Sequence, residues 1–203
     1  MLTVSVTLFF TAVFAGGLAL PLFVTRALHQ QPASVGVLFS VCAAVEVVAT
    51  LGLAVVPARV SQRALILSGF GSLVCYYALT VVSSGILMLV IGQVFRGVGI
   101  AIVAGAGIRY FQDLLAPATG RATTLFANPS NGRPAGLRHP SGMAVEHFGY
   151  RTTFLLCGVA AALGGVAFIL GSRRGSPGVG VRRVAIRRRT TRSPRARAGQ
   201  RCM

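Results

Sequence analysis

Apolar residues along this chain run in long unbroken blocks and do not alternate with polar ones. The blocks are Val4–Val24, Val35–Val56, Ala64–Val82, Ile86–Ile108 and Thr152–Leu170. A helix needs about 20 mostly apolar residues to cross about 30 Å of hydrocarbon, and each block meets or approaches that length. Alternation would mark half-buried strands, whereas continuous blocks this long predict membrane helices. In lipid a spanning segment must satisfy its own backbone hydrogen bonds. The predicted fold class is therefore all-α, a polytopic membrane bundle of five to six helices.

The connections are short. Arg26–Ser34 is polar, Ala58–Arg63 carries Arg59 and Arg63, and Ser83-Ser84-Gly85 is an uncharged turn. After the fourth block the reading is a polar, aromatic loop, Arg109-Tyr110-Phe111-Gln112-Asp113-Leu114, followed by Arg121. A further span is expected over 122–145, but its pattern is disrupted. It opens as Ala122-Thr123-Thr124-Leu125-Phe126-Ala127-Asn128 and then places Pro129, Pro134, Pro140, Arg133, Arg138 and His139 close together. Prolines break the helical ladder, and charged groups are costly in hydrocarbon.

Composition supports the membrane reading. The chain is 54% hydrophobic and 11% charged, against about 25% charged in a soluble domain. This leaves too little polar surface for a soluble enzyme. The net charge of +17 is uneven: 11 of the 20 basic residues are arginines between Arg173 and Arg201. The remaining nine arginines face only Glu46, Asp113 and Glu146. Residues 172–203 have few apolar positions and many like charges, and are read as a disordered tail. Such a tail suits anionic lipid head groups. Phosphate contact with nucleic acid is the other reading, but without aromatic residues to stack on bases no specific nucleic-acid partner is expected. The tail and Pro129–Pro140 also match GC-rich DNA translated out of frame.

Cys42, Cys75, Cys157 and Cys202 lack the spacing of a disulfide framework or zinc site. His139 and His147 have no ligand partners at metal spacing, so neither metal nor cofactor is expected. No nucleophile–base constellation or phosphate loop is present, and the chain is read as no enzyme. Met1–Val24 has no charge before Arg26 and is too long for a signal-peptide core, so it is read as a membrane helix. A start almost inside a helix predicts further sequence upstream. Arginines favour alternate loops, with Arg59 and Arg63 in the second and Arg109 and Arg121 in the fourth. The positive-inside rule then places the N-terminus and the basic tail in the cytoplasm of a plasma-membrane protein. That parity requires 122–145 to cross as well.

Several pieces occur in the order of a known family. They are Pro21-Leu22-Phe23-Val24-Thr25, Gly36-Val37-Leu38, Glu46, Arg63-Ala64-Leu65-Ile66-Leu67, Tyr110-Phe111-Gln112-Asp113-Leu114, Ala122 to Asn128, and Ala144-Val145-Glu146-His147-Phe148-Gly149-Tyr150. Over about residues 3–170 the chain resembles the sugar efflux transporters of the major facilitator superfamily, specifically their C-terminal half. It departs from the family pattern after Asn128. The resemblance implies two six-helix halves, inverted three-helix repeats within each, and a substrate site near the midplane. Here the repeats would be 3–82 and 86–170, and a six-helix N-terminal half would be the partner. The activity implied is proton-coupled efflux of sugars or related small molecules.

Within that frame, ionisable groups inside spans are the candidates. Gln93 and Arg96 lie three residues apart and so share a helix face that could bind sugar hydroxyls. Glu46 is the candidate proton site, with a structural Glu46–Arg96 ion pair as the alternative. Asn128 is a third polar candidate. Gly97, Ala101 and Gly105 recur every four residues, a spacing that lets helices pack closely; Ala12 with Gly16 and Ala160 with Gly164 read alike. Two further readings stay open: a non-transporting membrane protein whose basic tail tethers lipid or nucleic acid, and a decayed gene product.

Overall fold

The computed structural model describes residues 2–55, 60–114 and 149–174. Five long helices cover them: α1 (Leu2–Leu22), α2 (Pro32–Val55), α3 (Gln62–Val82), α4 (Ile86–Leu114) and α5 (Tyr150–Arg174). All five are long and apolar enough to cross a membrane. The expected span over 122–145 and the tail from 175 onward lie outside the described residues.

Local chemistry explains several helix ends. Pro21 has no N–H to donate to the Gly17 carbonyl, which weakens the ladder near the end of α1. The helix there widens into a π-turn over Phe23–Ala27, with the Thr25 hydroxyl donating to the Pro21 carbonyl at 2.8 Å. His29, at φ 50°, then turns the chain. Proline opens α2 at Pro32, where a missing N–H costs nothing. Ser61 caps α3, its hydroxyl accepting from the Ala64 amide at 3.2 Å.

Two helices outrun the sequence reading. The loop expected at Arg109–Leu114 is the last stretch of α4. Polar residues suggested a loop, but this stretch contains no glycine or proline to stop the helix. Tyr110 is buried, its ring 5.5 Å from that of Phe168 on α5. Helix α5 likewise continues past Leu170 through Ser172 to Arg174, as arginine is a good helix former.

Each helix packs on particular neighbours. Helix α1 lies on α5, α5 also on α3, α3 on α4, and α4 on α2. Exchanging α1 with α4 and α3 with α5 maps the α1–α5 pair onto α4–α3 and leaves α3–α5 in place. This is the pairing expected of an inverted three-helix repeat. The shared core is aromatic: Phe9 stands edge-on to Phe70 at 5.1 Å, and Phe23 edge-on to Phe154 at 5.4 Å. Polar bonds also link helices. The Ser5 hydroxyl on α1 donates to the Gly164 carbonyl of α5 at 2.6 Å, and the Tyr77 hydroxyl on α3 donates to the Ala12 carbonyl of α1 at 2.5 Å. Large apolar side chains such as Val48, Leu51, Leu87 and Leu163 point outward, as lipid-facing residues do.

Candidate functional site

Along α1, facing α2 and α4, runs an open groove of about 430 Å³ lined by Val13, Phe14, Gly17, Leu18, Phe39 and Arg96. Its lining is apolar except for Arg96, near the middle of the α4 span. Arg96 is only 6% exposed. Its Nη2 donates to the Val13 carbonyl at 3.3 Å, and its Nη1 reaches Gln93 Oε1 at a long 3.5 Å. The guanidinium carbon also lies 5.5 Å from the centre of the Phe39 ring and 5.8 Å from that of Tyr76. Rings so placed stabilise a cation through their π faces.

Some hydrogen-bonding capacity in this cluster is unused. Among the described residues, Arg96 Nε is buried without a hydrogen-bond partner, while Gln93 Nε2 and the Tyr76 hydroxyl are buried without a bond of good geometry, the hydroxyl lying within reach of the Gln93 and Thr80 side chains. Buried polar groups are usually paired, so the free Nε of Arg96 at the groove points to a partner not fixed by the fold itself. Gly17 makes the arrangement fit. A Cβ there would stand 2.8 Å from Arg96 Nη2, so only a glycine leaves the guanidinium its place on α1.

The other residues singled out in the sequence fall around this cluster. Gln93 is fully buried beside Arg96 and does not line the groove. Glu46 is half-buried on α2. It follows Phe39 and Cys42 at helical spacing, so the three share a face. That face meets α4: Phe39 touches Arg96, and a Cβ on Gly97 would come within 2.7 Å of the Cys42 carbonyl. No bond joins Glu46 to Arg96 among the described residues; the partners of Arg96 are Gln93 and the Val13 carbonyl. A Cβ on Gly105 would meet Leu53 of α2 at 3.3 Å, and Ala101 between the two glycines is buried. Asn128 lies outside the described residues. Tyr76 and Gly17 were not read from the sequence. A tyrosine hydroxyl inside an apolar span was the available signal for Tyr76, whereas Gly17 is defined only by its distance to Arg96.

Residues 2–197 match the Major Facilitator Superfamily. The chain belongs to that family. Relatives within the superfamily carry transport names. A Deinococcus radiodurans protein assigned to the sugar efflux transporters is 35% identical over 153 residues, covering 74% of this chain and 39% of the relative. Sugar efflux transporter C of Escherichia coli K12 is 29% identical over 150 residues, covering 74% of this chain and 37% of its own length. Sugar efflux transporter A of Dickeya chrysanthemi is 29% identical over 149 residues, 73% of this chain and 37% of its own. The chain thus spans about two fifths of the length of these curated relatives. No solved structure matches it significantly. It is a multi-pass membrane protein of a transporter superfamily, and its described residues form five membrane-length helices, consistent with a major-facilitator half.

Proposed function

We propose that this chain provides the C-terminal half of a proton-coupled exporter of sugars or related small molecules in the plasma membrane, acting with an N-terminal six-helix half. The observation that carries this reading is the buried Arg96, with Gln93 and Tyr76 behind it, facing the groove between α1, α2 and α4. A cation is retained in a span against a cost of several kcal/mol only where it serves a pathway or a partner. Arg96 supplies donors at the groove wall, Gln93 holds its guanidinium, and Phe39 and Phe14 offer apolar faces to a sugar ring. The sugar efflux names of the relatives support this substrate class, and the family supports transport over catalysis.

Glu46 takes the proton-coupling role in this proposal. It lies on the α2 face that meets α4, where a shift of α2 along α4 would change its surroundings. Gly97, Ala101 and Gly105 form the small-residue face along which that shift runs. The test is sugar efflux from energised cells that express the chain together with an N-terminal six-helix half, with and without a proton gradient. Glu46→Gln should abolish uphill, gradient-driven efflux and spare downhill exchange. Undiminished uphill efflux in that variant removes Glu46 from the coupling step. Absence of any efflux from cells that carry both halves, with binding of anionic vesicles to the chain abolished by deleting 172–203, would favour the tether.

A further inference from the structure

We propose that the Arg96 site selects a sugar-like solute carrying a negative charge, a carboxylate or a phosphate, over a neutral sugar. This rests on the groove being the substrate site and deepens that reading by naming the charge class.

The inference comes from the charge balance at the groove wall. Arg96 is a full positive charge, 6% exposed, with Nε unpartnered among the described residues. Its two bonds, at 3.3 and 3.5 Å, go to neutral oxygens, a backbone carbonyl and an amide. Neither neutralises it, and no carboxylate among the described residues bonds to it. The π faces of Phe39 and Tyr76 offset only part of the desolvation. A buried guanidinium left without a counter-charge is costly, and binding an anion removes that cost. Guanidinium also presents paired donors that match the two oxygens of a carboxylate or phosphate.

The rest of the groove suits the remainder of such a ligand. Val13, Phe14, Leu18 and Phe39 present apolar surface, and Phe14 and Phe39 present rings. A sugar ring lies against such faces through its C–H groups while its charged substituent reaches Arg96. A neutral sugar would meet the same walls but leave the charge uncompensated. The groove, of about 430 Å³, is open along one side, so a ligand there would keep part of its surface outside the described helices.

The test is equilibrium binding to the full 203-residue chain in lipid nanodiscs. The probes are glucose, glucuronate, glucose 6-phosphate and inorganic phosphate. Glucuronate or glucose 6-phosphate should bind at least about tenfold more tightly than glucose, the ratio expected of one hydrogen bond to a charged group. The stronger of the two tells carboxylate from phosphate. Arg96→Gln should narrow the gap, and Arg96→Lys should restore part of it. Glucose binding as tightly as both charged sugars overturns this proposal while leaving the substrate site in place. Inorganic phosphate matching glucose 6-phosphate also overturns it, by reducing the site to a simple anion site. If no probe binds, both the charge class and the substrate-site reading fall. The wild-type comparison decides the matter even if the Arg96 variants do not fold.

Discussion

Replacing Gly97 with alanine should loosen α2 from α4. The new Cβ would lie 2.7 Å from the Cys42 carbonyl and 3.1 Å from Val45 Cβ. The closest atom is backbone, so relief requires the two helices to move apart. Overpacking of this kind costs about 1–3 kcal/mol. Alanine regains up to about 1 kcal/mol of helix propensity over glycine. The net expectation is a loss of about 1–2 kcal/mol, concentrated at the α2–α4 contact. Buried Cys42 sits at that contact and reports on it directly. Maleimide labelling in mild detergent, read cysteine by cysteine by mass spectrometry, measures how often the contact opens. About 1.4 kcal/mol corresponds to tenfold in the open population, so Cys42 should label about tenfold faster in Gly97→Ala. Exposed Cys75 provides the reference rate. Gly52→Ala is the matched control, since a Cβ at Gly52 on α2 meets nothing within 4 Å. Labelling of Cys42 no faster in Gly97→Ala than in Gly52→Ala would refute the close-packing argument.

Gly17→Ala should move the guanidinium more than it disturbs the fold, because the atom 2.8 Å from the new Cβ is the free end of a flexible side chain. Its melting temperature should stay within a few degrees of the unmodified chain while glucuronate binding falls several-fold; unaltered binding would show that Arg96 does not need its place beside Gly17. Tyr77→Phe removes the bond to the Ala12 carbonyl and should cost about 0.6 kcal/mol, the average for such bonds in membranes. Gly16→Val in the same contact places a Cβ 2.5 Å from the Tyr77 hydroxyl and should cost more, about 1–3 kcal/mol. Equal thermal stability of these two variants would contradict that ranking.

The five described spans were legible because each apolar block is long enough to need no tertiary information. Arg96 and Gln93 were legible for the same reason: polar groups stand out in a hydrocarbon-length run. The helix ends were harder. Arg109, Gln112 and Asp113 read as a loop, yet α4 continues through them because nothing in that stretch breaks the ladder and Tyr110 gains a buried place against α5. The alternative of an Arg96–Glu46 ion pair rested on their both being charged and mid-span. The structure instead gives Arg96 a backbone carbonyl from α1, a partner that no pattern of side chains announces. Tyr76 and Gly17 belong to the cluster through contacts between different helices, which periodicity within one helix does not report.

Helix α4 shows how packing and chemistry are divided around one element. Successive residues of a helix are rotated by about 100°, so Gly97 points to a side different from that of Arg96, whereas Gly99, three residues on, and Gly92, four residues before, lie close to its face. Gly97 and Gly105 abut α2. Gly99 and Gly92 abut α3, where a Cβ on Gly99 would meet the Gly69 carbonyl at 3.0 Å and one on Gly92 would meet Tyr76 at 3.2 Å. Arg96 bonds to α1, with Gln93 one turn before it. Small residues on two sides draw α2 and α3 in until backbone meets side chain across both contacts. That approach brings Phe39 and Tyr76 over the guanidinium, while α1 stays back by the width that Gly17 allows. The glycine faces and the buried charge are therefore coupled: widening either contact withdraws a ring from Arg96 and leaves a cation less shielded in hydrocarbon. The same geometry leaves relatively little contact between α1 and α2, and between them lies the groove that Arg96 faces.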